Sequence, residues 1–260
     1  MKLDVPPCEI IENLPFKTDK GIGSRARIGL AVLASDYTVE EEFRRIFTIP
    51  GVAFYEARIR NSMSITPETL AAMGPLITDT VDLILPGDHL DVVAFGCTSA
   101  SMVLGEEKIA ERIHAARPEA KATNPVTAAF AAFDAFGAKR IAVLTPYRQD
   151  VNKIVRSYIH DAGYTVPVFG SFNEENDAIV AAIDAASLRD AVLTITKDRD
   201  VDCVFVSCTS VRLVEVVAEI EAATGLPVTS SNHALAWHCL RLAGVSEPIE
   251  ELGRLFQIPG

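Results

Sequence analysis

Two stretches of the chain close an apolar run on the same three residues. Asp91-Val92-Val93-Ala94-Phe95-Gly96 leads into Cys97-Thr98-Ser99, and Asp202-Cys203-Val204-Phe205-Val206-Ser207 leads into Cys208-Thr209-Ser210. Cys208 follows Cys97 by 111 residues, and Arg140-Ile141 follows Arg27-Ile28 by 113. One apolar run resembles many others. A run matched together with its terminus, at a nearly constant offset, marks an internal duplication. A duplicated chain of 260 residues divides into two lobes of roughly 110–130 residues, each large enough for its own core.

Within each half, apolar strands alternate with amphipathic helices. In the first half the strands are residues 27–33, 52–58 and 91–96, and the helices 39–47 and 67–85. Glu40, Glu41 and Glu42 sit in the first turn of the 39–47 helix, where the helix dipole favours negative charge. In the second half the strands are residues 140–145, 165–169, 202–207 and 227–230, with helices over 149–162 and 179–197. Val151, Ile154, Val155, Tyr158 and Ile159 form one stripe. Continuous apolar strands between such helices indicate parallel sheets covered on both faces. The expected fold is α/β, with two pseudo-symmetric flavodoxin-like lobes. Each lobe is a four-stranded parallel sheet with helices on both faces. Expected boundaries are an N-terminal arm over residues 1–24, a first lobe over 25–137 and a second over 138–230. A C-terminal helix over 231–260 returns toward the first lobe.

Charge excludes several classes of partner. The chain has 24 Lys and Arg against 35 Asp and Glu, a net charge of −11. That balance lacks the cationic excess that nucleic acid requires and is repelled by anionic lipid. No stretch approaches the ~20 apolar residues of a membrane helix. The first residues, Met1 to Pro7, lack the apolar core of a signal peptide. Five cysteines are an odd number in a long chain and fit free thiols in a reducing compartment. A cytoplasmic protein is expected.

The paired Cys-Thr-Ser segments carry the chemistry. The pattern places each at the carboxyl end of a parallel strand, where a helix begins and where open α/β sheets bind ligands. The helix dipole and free N–H groups there are expected to lower a thiol pKa and to cradle a carboxylate. Two such thiols facing one cleft can work on opposite faces of a carbon acid, one removing a proton and the other supplying it. Cys203 and Cys239 sit in apolar segments and Cys8 in the arm, so all three are read as packing or incidental. No Cys/His spacing resembles a zinc site, and neither a dinucleotide loop nor a Walker sequence occurs. No metal and no cofactor are expected. His233 is read as a structural histidine, and Phe130, Phe133 and Phe136 as core or a dimer surface.

With the Leu144-Thr145-Pro146-Tyr147 turn, these features resemble the aspartate/glutamate racemase superfamily. The closer resemblance is to its maleate cis–trans isomerase and arylmalonate decarboxylase branch, from about Arg27 to Gly244. The loop from Leu33 to Glu40 and the arm look most like the ectoine-utilisation protein A group. The resemblance implies that Cys97 is the first-lobe nucleophile or base and Cys208 the second-lobe proton donor. It implies that Thr98, Ser99 and Tyr147 hold a substrate carboxylate, with Thr209 serving the same purpose from the other lobe. Arylmalonate decarboxylases carry glycine in place of Cys97, which counts against that activity here. Maleate isomerases carry an Asn where this chain has Asp36. An anionic Asp36 facing the cleft would repel a second carboxylate and suit a cationic nitrogen.

The expected function is a cofactor-independent racemase or isomerase acting on a small carboxylate, such as an amino acid derived from ectoine or hydroxyectoine. Maleate cis–trans isomerisation is the alternative, and a non-catalytic carboxylate binder a third reading. A homo-oligomer, dimer or tetramer, is expected.

Overall fold

A computed structural model describes residues 8–63, 65–174 and 176–259. The expectation about Met1 to Pro7 lies outside the described residues. Residues 8–24 carry no regular helix or strand.

The first sheet comprises β1 (Ala26–Leu33), β2 (Val52–Ile59), β3 (Val92–Gly96) and β4 (Lys121–Thr123), in the order β2-β1-β3-β4. Its pairings are all parallel. Helices α1 (Val39–Ile46), α2 (Pro67–Ala71), α3 (Ile77–Asp82), α4 (Thr98–Leu104), α5 (Glu106–Ala116) and α6 (Pro125–Phe136) accompany it. Alternation along β1 divides the core: Ile28, Leu30 and Val32 pack with α1, while Ala31 and Leu33 join Ile77 and Val81 of α3 on the opposite face.

The second sheet repeats the order as β6-β5-β7-β8, again all parallel. Its strands are β5 (Arg140–Thr145), β6 (Thr165–Ser171), β7 (Cys203–Val206) and β8 (Val228–Ser230). Its helices are α7 (Gln149–Asp161), α8 (Asp177–Ala181), α9 (Ala185–Thr196) and α10 (Val217–Thr224). Helix α11 (Ser231–Leu242) runs back and packs against α6, α1 and β3. The expected two-sheet parallel α/β fold is therefore present. Phe133 is fully buried and meets Phe205 and Tyr164 edge-on, so the phenylalanines of α6 face the second-lobe core.

Several elements depart from the sequence pattern. The expected 67–85 helix is broken: α2 ends at Ala71 and a 3₁₀ turn, Gly74–Leu76, precedes α3. Pro75 lacks an N–H and its ring crowds the preceding turn, so an α-helix cannot run through it. The expected 179–197 helix is split, because the Asp184 side chain accepts from Ser187 N at 2.7 Å and starts α9 afresh. The expected helix directly after Cys208 is absent. Cys208, Thr209 and Ser210 form an irregular loop, and α10 starts only at Val217.

Candidate active site

Both sheets have the order second-first-third-fourth, so each has a switch point between its first and third strands. The loops leaving those strands meet in one cleft of about 450 Å³. Leu33 closes β1, Cys97 follows β3, and Tyr147 and Cys208 follow β5 and β7. The second strands contribute too, with Asn61 after β2 and Asp177 at the start of α8 after β6. The two halves thus present corresponding strand ends to the same space.

Six of the seven residues singled out in the sequence line this cleft: Cys97, Thr98, Ser99, Tyr147, Cys208 and Thr209. Cys97 precedes α4, and its Sγ lies 3.8 Å from Ser99 Oγ. Its carbonyl accepts from Ser101 N and Ser101 Oγ, which fixes the turn that carries the thiol. Thr98 Oγ1 donates to Ser231 Oγ at 2.7 Å, tying the first-lobe loop to α11. On the other side, Ser210 N donates to Cys208 Sγ at 3.4 Å. The Tyr147 carbonyl accepts from Asn152 Nδ2 at 2.7 Å and from Ser171 Oγ, so the turn after β5 is held from two directions.

The thiols do not have the depressed pKa values that their strand-end positions suggest. Burial pushes Cys97 up to about 11, against the Ala100 N–H and the Ser99 hydroxyl. Burial pushes Cys208 up to about 12, although the Tyr147 hydroxyl and Ser210 favour its anion. Tyr147 is raised well above its ordinary value, first by burial and then by Cys208, so it stays a neutral O–H donor. The physical reason is that α4 is short and Cys208 has no helix behind it, so desolvation outweighs the dipole.

Asp36 is the exception among the seven. It does not line the cleft; it is buried, and its Oδ1 accepts from Thr38 N at 2.7 Å and Val39 N at 2.8 Å. Those two N–H groups open α1. Burial pushes the carboxyl up to about 6, against the Val39 and Thr38 N–H groups and the Thr209 hydroxyl. The cleft-facing carboxylate expected at Asp36 is supplied instead by Asp177. Ser210 Oγ donates to Asp177 Oδ1 at 3.0 Å, and Ser35 Oγ to Oδ2 at 3.4 Å.

Three more residues were not found from the sequence. Asn61 donates to Ser35 Oγ at 2.8 Å. Glu42 is buried, with Oε1 accepting from Val214 N and Oε2 from Asn232 Nδ2, both at 2.8 Å. The same Asn232 amide donates to the Thr209 carbonyl at 2.7 Å. Asn61 and Asp177 lie beyond the second strands, and the repeat offset does not set one against the other, so the duplication carried no signal for them. Glu42 lies among Val39, Phe43 and Ile46 on the buried stripe of α1, an odd place for an acid. His233 is structural: fully buried, it bonds Thr229 Oγ1 at 3.0 Å and the Leu252 carbonyl at 2.8 Å.

A duplicated parallel α/β fold with its cleft between corresponding strand ends defines the class, that of the aspartate/glutamate racemase superfamily. Residues 76–256 match the arylmalonate decarboxylase family, and the chain belongs to it. The maleate isomerase of Pseudomonas putida is 30% identical over 237 residues, covering 86% of this chain and 93% of that protein. The arylmalonate decarboxylase of Bordetella bronchiseptica is 29% identical over 136 residues, 52% of this chain and 57% of that one. Among solved structures, the maleate isomerase Iso of Pseudomonas putida S16 superposes with a TM-score of 0.82 at 26% identity, covering 90% of this chain and 98% of that one. A cysteine variant of the Nocardia farcinica maleate cis–trans isomerase gives a TM-score of 0.78 at 25% identity, covering 90% and 99%. That protein carries a covalently bound succinylcysteine intermediate. These relatives are isomerases or a decarboxylase. Among the described residues no helix is long and apolar enough to cross a membrane.

Proposed function

We propose that this chain is a cofactor-independent isomerase whose Cys97 and Cys208 act together on a small carboxylate. The observation that carries the reading is the pair of thiols at corresponding strand ends of one buried cleft. The Thr98–Ser99 turn offers the donors for the carboxylate.

The maleate isomerases among the relatives favour cis–trans isomerisation at a double bond next to the carboxylate. In that scheme Cys97 first releases its proton to solvent, the Cys97 thiolate adds to one alkene carbon, and the neighbouring carbon takes its proton from Cys208, which is left as the thiolate. Rotation about the resulting single bond follows. Cys208 then takes the proton back as the C–S bond breaks and the double bond re-forms. The neutral Tyr147 hydroxyl beside Cys208 is placed to stabilise its thiolate.

Asp177 favours a second reading, two-thiol racemisation of an amino-bearing carboxylate, because a carboxylate on the cleft wall suits a cationic nitrogen. Resemblance to the ectoine-utilisation protein A group points the same way, although none of the relatives named above belongs to that group.

Cys97→Ser and Cys208→Ser decide the matter, assayed on maleate and on single enantiomers of small amino acids. Each variant is expected to lose turnover by a thousandfold or more. Under the addition scheme, Cys208→Ser protein incubated with maleate gains the mass of one substrate on Cys97. Full activity in either variant overturns both schemes.

A further inference from the structure

We propose that Asp177 sets the substrate class: the cleft takes a small carboxylate whose other end bears a cationic nitrogen, in preference to a dicarboxylate. The proposal rests on the reading of the cleft as a carboxylate-handling site, and it adds what the second end of the ligand must be.

Position is the first argument. Asp177 lines the inner cleft beside the two thiols and also lines the larger recess outside it, so it stands where the two spaces join. Its orientation is set from both lobes, by Ser35 Oγ on one oxygen and Ser210 Oγ on the other. Both partners are neutral hydroxyls, which hold the carboxylate in place without cancelling its charge.

Charge balance is the second. Among the described residues no Lys, Arg or His lines the inner cleft, and Asp177 is its single carboxylate. A dicarboxylate would enter a low-dielectric space that offers neutral donors and one like charge. A carboxylate with an ammonium or amidinium group would place its anionic end at the Thr98–Ser99 turn and its cationic end on Asp177, forming a charge-assisted hydrogen bond. Asn61, after the second strand of the first lobe, is a neutral amide, whereas Asp177, after the second strand of the second lobe, carries the acid. Asn61 and Asp177 are joined through Ser35 Oγ, so the neutral amide leaves Asp177 as the charge on that wall.

The third argument concerns the reacting groups. The ionisable side chains that bear on the thiols include Asp36, Tyr147 and Asp177. Asp36 opposes ionisation of Cys97 and Tyr147 assists that of Cys208, while Asp177 opposes both. Burial is the main reason both thiols stay protonated, and a cationic nitrogen on Asp177 removes the one charge that adds to it at both. The right ligand therefore also eases thiolate formation, and a second carboxylate would do the reverse.

The test compares two probes with one skeleton, maleate and (Z)-4-aminobut-2-enoate, in which an aminomethyl group replaces one carboxylate. Calorimetric dissociation constants are measured on the wild-type chain, Asp177→Asn and Asp177→Ser, with melting temperatures confirming that each is folded. The aminobutenoate is expected to bind the wild-type chain at least tenfold more tightly than maleate. Both substitutions should shrink that ratio at least tenfold, by weakening the amine and strengthening maleate. Equal or tighter binding of maleate to the wild-type chain, no binding of the aminobutenoate, or a ratio unmoved by either substitution overturns the proposal. The binding ratio needs no turnover. Failure here is thus separate from failure of the two-thiol reaction, which shows as activity surviving Cys97→Ser or Cys208→Ser.

Discussion

The hydroxyl of Thr38 donates to the carbonyl oxygen of Ser210 at 2.9 Å, joining the start of α1 in the first lobe to the thiol-bearing loop of the second. Asn232 makes a parallel link, donating to Glu42 and to the Thr209 carbonyl. The loop after Cys208 has no helix of its own to hold its backbone groups, so first-lobe and α11 side chains satisfy them instead. Buried backbone groups must be paired somewhere, and here the pairing fastens one lobe to the other.

Removing the Thr38 hydroxyl should therefore act on the second lobe. Thr38→Val keeps the shape and leaves the buried Ser210 carbonyl without its donor. The expected cost is about 1–3 kcal/mol of stability, the desolvation penalty of an unsatisfied polar group. Thermal unfolding measures it. Faster alkylation of Cys208 by iodoacetamide in the folded variant should accompany it, because the loop loosens. A variant as stable as wild type, with unchanged Cys208 labelling, would show that the bond carries no weight.

Thiol reactivity should follow burial. Cys8 is exposed, and iodoacetamide is expected to label it first at pH 7.5. Cys97 and Cys208, pushed up to about 11 and about 12, should label slowly at that pH. Their rates should keep rising toward pH 10 without a plateau, since the reactive thiolate remains the minor form throughout. Peptide mass spectrometry resolves the sites. A plateau near pH 7 for either thiol would mean that an ionised cysteine is already stable in the cleft.

Asp36 accepts from the two backbone N–H groups that open α1, so its two replacements should behave differently. Asp36→Ala loses acceptors for Thr38 N and Val39 N and should cost about 1–2 kcal/mol. Asp36→Asn keeps a side-chain oxygen at that position and should cost less. Neither change should alter the preference between maleate and an amino-bearing carboxylate. A preference that inverts in Asp36→Asn would return the ligand-facing role to this residue.

The parts that were legible in the sequence share a cause. Strands buried on both faces leave uninterrupted apolar runs, so β1, β3, β5 and β7 and the duplication could be read directly. The thiols and the Thr-Ser residues beside them followed from the strand ends. β4 is three residues long and begins with exposed Lys121, so it left no apolar run to notice. Asp36 and Asp177 show the harder limit. Both are acids near a strand-to-helix junction, and sequence spacing does not say which side chain turns inward to its own backbone and which faces the cleft. That choice was made by Thr38 N and Val39 N for Asp36, and by hydroxyls of both lobes for Asp177.

Glu42 gives the pH dependence its clearest test. Burial pushes its carboxyl from 4.5 up to about 7, against the Val214 N–H and the Asn232 amide, and nearby Asp36 adds to the rise. Between pH 4.5 and 7 the folded chain keeps this proton while the unfolded chain has released it. The contribution of Glu42 to stability is therefore greatest below about pH 4.5, falls as pH rises, and levels off above about pH 7. At ~1.4 kcal/mol per pK unit, the fall is on the order of 3 kcal/mol. Total stability will not display it plainly, because His233 and His238 are each pushed down to about 4 by burial and act in the opposite direction. They cancel when wild type is compared with Glu42→Gln. The glutamine can accept from Val214 N but sets an N–H₂ against the Asn232 amide, a fixed cost that does not titrate. Glu42→Gln should thus be clearly less stable than wild type near pH 4.5 and recover by about 2–3 kcal/mol relative to it by pH 8. Urea unfolding at four or five pH values gives the difference curve. A flat curve would mean that Glu42 is ionised in the folded chain across the whole range, and that its two hydrogen bonds outweigh its burial.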